Sequence, residues 1–156
     1  MQRQNGTDMT ASLSPAPPPS PALASSAIVV RAGRYLLVRR SKPPSADMYA
    51  FPGGRSEPGE TPAETAIREL LEETGIVGSA PQLFATYDLP AAKADGAGGR
   101  HFFLSVFRVE AEVDAEAVAG DDAASLGWYT ADEIADLPAP PSVRDCIARL
   151  EALRAS

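Results

Sequence analysis

The chain of 156 residues is long enough for one ordinary domain with its own core, and no run in it approaches the ~18 apolar residues of a membrane span. A net charge of −7 and a pI near 4.7 exclude a broad basic surface for duplex nucleic acid, because that binding rests on Lys and Arg neutralising phosphates. One cysteine, Cys146, excludes an internal disulfide.

Residues 1–24 are polar and then Pro-rich, through SPAPPPSPA, a composition that predicts a disordered, solvated tail and places the domain at residues 25–156. The N-terminus has no compact apolar run, and Arg3 alone is too little for an Arg-rich transit peptide, so the cytoplasm is the expected compartment. Apolar and β-branched runs at 27–31 and 35–40 predict two strands joined tightly through 32–34. Arg39 and Arg40 lead into the turn-rich Ser41-Lys42-Pro43-Pro44-Ser45, where they either reach a phosphate or end a strand in solvent. After Tyr49-Ala50-Phe51, Pro52-Gly53-Gly54 breaks the strand and permits close backbone approach.

A helix is predicted from Thr61, whose capping box is completed by Glu64 with Pro62 at the first helical position, to near Gly75. Ala63, Ala66, Ile67, Leu70, Leu71 and Thr74 form its expected packing stripe, while Glu69, Glu72 and Glu73 gather on another side. Like charges at this spacing oppose an isolated helix by roughly 0.2–0.5 kcal/mol per pair. Arg68 relieves part of that through Glu72 and Glu64; a hard divalent cation would relieve more, and the alternative is a solvated acidic face.

Further strands are expected at 82–89 and 101–109, separated by a small-residue loop. His101 opens the second of them and reads as a packing or edge residue. Asp121 and Asp122 lie in a Gly-flanked loop ahead of a short strand at 126–129, as a solvated turn or as acids serving a site. Thr130 with Glu133 predicts a short capped helix ending before Leu137. Ser142 is the expected cap of the last helix, whose stripe Val143, Cys146, Ile147, Leu150 and Leu153 docks on the sheet, with Cys146 as a small buried hydrophobe. Periodicity alone gives a mixed α/β domain.

From Gly53 to Ile76 the sequence reads GGRSEPGETPAETAIRELLEETGI. Gly54, five residues, Glu60, seven residues and then Arg68-Glu69-Leu70-Leu71-Glu72-Glu73-Thr74-Gly75-Ile76 match every fixed position of the Nudix box. The chain therefore resembles a Nudix hydrolase, and its RRS, MYAFPGG and RSEPGET surroundings look most like the ADP-ribose pyrophosphatase-related branch.

The resemblance implies an α/β fold, a Nudix-type α/β/α sandwich around a mixed β-sheet. It also implies Mg²⁺- or Mn²⁺-dependent cleavage of the pyrophosphate linkage of a nucleoside diphosphate derivative, of the ADP-ribose kind. Glu69, Glu72, Glu73 and the Gly53 carbonyl would hold the metal, with Glu69 also orienting or deprotonating water. Arg68 and Glu60 would form a supporting ion pair, and Asp121 or Asp122 would add an acid or base from outside the box. Arg39, Arg40 and Arg55 are the candidate substrate-binding cations. The expected partner is a small nucleotide, with no duplex nucleic acid and no membrane, and the protein is a monomer or homodimer. The alternatives are a (d)NTP pyrophosphohydrolase that clears oxidised nucleotides, or a non-catalytic nucleotide-binding module.

Overall fold

Ala32 and Gly33 both adopt positive φ, 51° and 76°, the pair of left-handed residues that closes a two-residue hairpin without splaying its strands. Around this turn the computed structural model, which describes residues 21–41, 46–90, 101–112, 115–120 and 123–155, builds two sheets. The strands are β1 Ala22–Ile28, β2 Val30–Arg31, β3 Arg34–Arg40, β4 Tyr49–Ala50, β5 Gly53–Arg55, β6 Ser79–Leu89, β7 Phe102–Glu110 and β8 Ala123–Tyr129. The helices are α1 Pro62–Thr74, α2 Ala131–Ala135 and α3 Pro141–Ala155.

One sheet has the order β5-β1-β7-β6, with β1 antiparallel to β5 but parallel to β7, so it is mixed. In the other, β3 pairs antiparallel with β2, β4 and β8. Only Val29 separates β1 from β2, so the chain steps from one sheet to the next while still extended.

Successive side chains of a strand point to opposite faces, and here both faces are covered. Ala27, Val29, Leu36 and Phe107 pack with Ala66 and Leu70 of α1 and with Ile76. Ile28, Tyr35, Leu37 and Val106 pack instead with Ile134 of α2 and with Val143, Cys146, Ile147 and Leu150 of α3. The strands are thus sandwiched between helical layers. Among the described residues no helix is long and apolar enough to cross a membrane.

Several expectations change. Backbone pairing of β1 with β7 reaches back to Ala22, so residues 22–24, grouped by composition with the tail, lie in a strand, because ladder hydrogen bonds need no apolar side chain. Ser142 is not the cap of α3. The helix starts at Pro141, a first position that needs no N–H, and the Pro140 carbonyl accepts the Val143 and Arg144 N–H groups at 3.1 and 3.2 Å. Leu153 is exposed, since position i+10 has drifted about 80° from the start of its stripe at 100° per residue. Leu71 is exposed as well, because the buried face of α1 runs through Thr65, Ala66, Leu70 and Thr74 and is rotated towards the acids. Residues 1–20 of the expected tail, the Lys42 to Ser45 segment, the loop at 91–100, and Asp121 and Asp122 lie outside the described residues.

Tyr35 shows how tightly the α3 layer is tied. Its ring is fully buried and its hydroxyl donates to Glu151 Oε2 at 2.6 Å. Burial first, and then that bond to Glu151, pushes the phenol up from 10.0 to about 12. A raised pKa means that the stabilising contribution is intact below the unfolded value and is lost as pH climbs through the folded one. Denaturant midpoints should therefore fall between pH 10.0 and about 12, and Tyr35→Phe should soften that fall without removing it. Tyr87, raised first by burial and then by its bond to Asp145, contributes in the same direction. A midpoint unchanged over that range would contradict the buried-phenol account.

Candidate functional site

The site grows from the entry and exit of α1. Thr61 accepts from the Glu64 N–H at 3.1 Å while Glu64 Oε1 accepts from the Thr61 N–H at 2.9 Å, so the predicted capping box is formed. This occupies Glu64, and the expected Glu64–Arg68 contact gives way to one with Glu60. Gly75, at φ 76°, ends the helix with its N–H bonded to the Leu71 carbonyl at 2.8 Å.

Arg68 is the hub. Its Nε and Nη2 fork onto Glu60 at 2.7 and 2.9 Å, Nη2 also reaches the Arg55 carbonyl at 2.9 Å, and Nη1 reaches Glu69 Oε2 at 3.0 Å and Glu72 Oε1 at 3.1 Å. A guanidinium has five N–H donors, and these contacts take all of them. A lysine, with one point charge and three donors, could not hold the same set. Glu60 is correspondingly acidic: the Arg68 hydrogen bonds first, and then the Glu57 N–H, bring its carboxyl down to about 2. Thr65, fully buried, carries the network inward by donating to Glu60 at 2.8 Å, with Ser56 Oγ 2.7 Å from its hydroxyl.

The acids do not share one solvated face. Glu72 is 56% exposed, whereas Glu69 is 15% exposed and turned towards β5. There the Gly53 N–H donates to Glu73 Oε1 at 3.2 Å, and a side chain at Gly54 would run into the Glu69 carboxylate. Glycine at 54 is thus a requirement of close approach, which the Pro52-Gly53-Gly54 turn had suggested. At the far end of α1 the Glu73 and Thr74 carbonyls accept from the Gly120 and Val118 N–H groups, both at 2.8 Å. Gly120 itself is pressed so closely on the Glu72 backbone that no larger residue would fit.

Among the described residues no set of three acids is already drawn together as metal ligands; Arg68 holds Glu69 and Glu72, and the Gly53 amide holds Glu73. The remaining candidates among the described residues make other contacts. Arg39 pairs with Asp47 at 2.7 Å and approaches Ser125 Oγ at 3.4 Å, on the second sheet. Arg40 ends β3, where its backbone exchanges hydrogen bonds with the 47–48 segment at 2.9 and 3.0 Å. Arg55 is exposed, and it is its carbonyl that serves Arg68. His101, expected to pack or to sit at an edge, is partly exposed, and its Nε2 meets Asp88 Oδ1. Sequence reasoning missed Thr65, Ser56 and Gly120, although Thr65 sits one turn before Glu69 and two before Glu73 and so shares their side of α1.

The pattern of a guanidinium-held acidic helix facing a Gly-Gly turn has a family behind it, for a NUDIX domain model matches residues 21–150. The chain belongs to the NUDIX family. It is 33% identical over 109 residues to an ADP-ribose pyrophosphatase of Methanocaldococcus jannaschii, a match covering 70% of this chain and 62% of that relative. It is 31% identical over 108 residues to a putative 8-oxo-dGTP diphosphatase 3 of Mycobacterium tuberculosis, covering 69% of this chain and 49% of the relative. Both matches therefore span less than two thirds of the relative's length. A crystal structure of a MutT NUDIX hydrolase from Burkholderia pseudomallei superposes with TM-score 0.73 and 26% identity, over 83% of this chain and 98% of that one. The layers described above are the NUDIX α/β/α sandwich, and NUDIX hydrolases generally use divalent metal ions.

Proposed function

We propose that this NUDIX protein hydrolyses the pyrophosphate linkage of a nucleoside diphosphate derivative, with ADP-ribose the first candidate and Mg²⁺ or Mn²⁺ as the ion it uses. One arrangement carries the reading: Glu69 and Glu73 seated on the Gly53-Gly54 turn with Glu72 beside them, and Arg68, anchored on Glu60, reaching both Glu69 and Glu72. The groups fit a hard divalent cation. Every donor is a carboxylate or carbonyl oxygen, and the Gly54 cradle leaves no side chain between Glu69 and the sheet. Three neighbouring carboxylates are also at ease together only with positive charge among them.

Glu69, Glu72, Glu73 and the Gly53 carbonyl would hold the ion, which when bound supplies charge neutralisation at pyrophosphate oxygens and a lowered pKa for water. Glu69 orients the attacking water or takes its proton. Arg68 positions Glu69 and Glu72, and Glu60 fixes Arg68 in turn, so neither needs to touch substrate. Asp121 or Asp122 supplies an acid or base from outside the box; their described neighbour Gly120 is bonded to the last turn of α1. Arg39, Arg40 and Arg55 are the proposed substrate cations, with Arg39 exchanging Asp47 for phosphate. A small nucleotide is the partner, the cytoplasm the place of work, and the tail before β1 a segment that catalysis does not use.

The ADP-ribose choice is supported by the name of the Methanocaldococcus jannaschii relative, and the second reading, a (d)NTP pyrophosphohydrolase, by that of the Mycobacterium tuberculosis one. Purified protein assayed with Mg²⁺ or Mn²⁺ against ADP-ribose, dinucleoside polyphosphates and (d)NTPs separates them. AMP and ribose 5-phosphate released from ADP-ribose at the highest kcat/KM is the expected result. Preferential release of pyrophosphate from oxidised dGTP would transfer the assignment to the second reading, and affinity without turnover on any substrate would make the protein a binding module.

A further inference from the structure

Ser25 lies in β1 and is 1% exposed, and its Oγ is the buried side-chain polar atom that has no hydrogen-bond partner among the described residues. Buried hydroxyls in folded proteins are almost always paired, so an orphan calls for a physical account. Its direction follows from the register. Ser25 stands opposite Gly54 in the antiparallel β1–β5 pair, and directly opposed residues project to the same face of a sheet. On that face a Cβ at Gly54 would collide with the Glu69 carboxylate, both of whose oxygens lie over the glycine. The orphan hydroxyl and Glu69 are therefore neighbours under α1, while Glu69 Oε2 is held on its other side by Arg68 at 3.0 Å.

We propose that Ser25 is a positioning residue for Glu69: its hydroxyl donates to the carboxylate oxygen that faces the sheet once a divalent cation draws Glu69 away from Arg68. Among the described residues the hydroxyl has no partner in the arrangement where Arg68 holds Glu69, and it gains one when the carboxylate turns. Such a bond fixes which oxygen faces the ion, as outer partners of metal ligands do. The inference rests on the proposed cation-dependent function, and Mn²⁺ binding separates the two because it needs no substrate.

The full chain, Ser25→Ala and Ser25→Thr would be titrated with Mn²⁺ by calorimetry, melted with and without Mn²⁺, and assayed over a range of Mn²⁺ concentrations on the substrate the wild type turns over best. Ser25→Ala should bind Mn²⁺ about tenfold more weakly and lose activity mainly at low Mn²⁺. Its metal-free melting temperature should be unchanged or higher, since deleting an unpaired buried hydroxyl strands no partner. Ser25→Thr, which keeps the hydroxyl, should restore Mn²⁺ affinity. Equal affinity in wild type and Ser25→Ala would overturn the positioning role while leaving the function standing. A Ser25→Ala variant with lowered metal-free melting and an unaltered Mn²⁺ response would reduce Ser25 to packing. A wild type that neither binds Mn²⁺ nor turns over any nucleotide would remove the function and this inference together.

Discussion

Glu73→Gln should lower kcat by at least the ~10–100-fold that loss of an outer partner of a metal ligand costs, and Glu72→Gln should do the same, with both variants folded. Glutamine keeps the shape of the side chain. At position 73 its amide oxygen can still accept the Gly53 N–H now bonded to the carboxylate at 3.2 Å, and at position 72 it can still accept from Arg68, now at 3.1 Å. What disappears is the charge. Removing one of several like charges from a helix face relieves roughly 0.2–0.5 kcal/mol per pair, so melting temperatures measured without metal should hold or rise slightly while turnover collapses. Wild-type turnover in both variants, or full activity of the wild type in excess chelator, would rule out the carboxylate-held cation.

The second large effect is a contrast between adjacent residues. At Gly53 a Cβ would lie 2.5 Å from the Ser25 carbonyl oxygen and 2.6 Å from Ser26 Cβ. These are backbone and the root of a side chain, neither of which can swing aside. Gly53→Ala should therefore destabilise the fold by about 1–3 kcal/mol, the usual range for overpacking. At Gly54 the obstacle is the end of the Glu69 side chain, which can rotate. Gly54→Ala should leave the denaturant midpoint close to wild type but displace Glu69 and depress kcat about tenfold or more, since a misplacement of 1 Å can lower a rate ~10²-fold. Paired urea titrations and kinetics read the contrast directly. A Gly54→Ala enzyme with normal kcat would show that Glu69 does not need its seat on the turn.

Much of this was legible in the residues. The Thr61–Glu64 capping box, Pro62 and Gly75 bound α1 correctly because capping is a contest among a handful of neighbouring backbone groups. Thr130 with Glu133 placed α2 for the same reason. The Val143, Cys146, Ile147 and Leu150 stripe found the buried side of α3, since a helix that must cover a sheet repeats its apolar residues at the helical period. The spacing from Gly54 through Glu73 carried the family, and with it the candidate ligands.

The sequence by itself determined which segments are helical, where α1 and α2 begin, and that Glu69, Glu72 and Glu73 share a neighbourhood, because each of these depends on groups within a few turns of one another. Only the tertiary structure decided which way α1 is turned. Its buried face takes in Thr65 and leans on Glu69 while Leu71 is left in solvent, the reverse of what polarity suggests. Two glycines a full helix-length earlier give the carboxylates room against the sheet, and Arg68, anchored on Glu60 and the Arg55 carbonyl, offsets the charge of Glu69 and Glu72 through Nη1. The same distant packing set Ser25 opposite Gly54, bonded Gly120 to the last turn of α1, and gave Arg39 to Asp47 rather than to the acids. Burial and partner choice are sums over contacts between residues far apart in the chain, and a one-dimensional pattern carries charge and period but not which distant backbone will close over them.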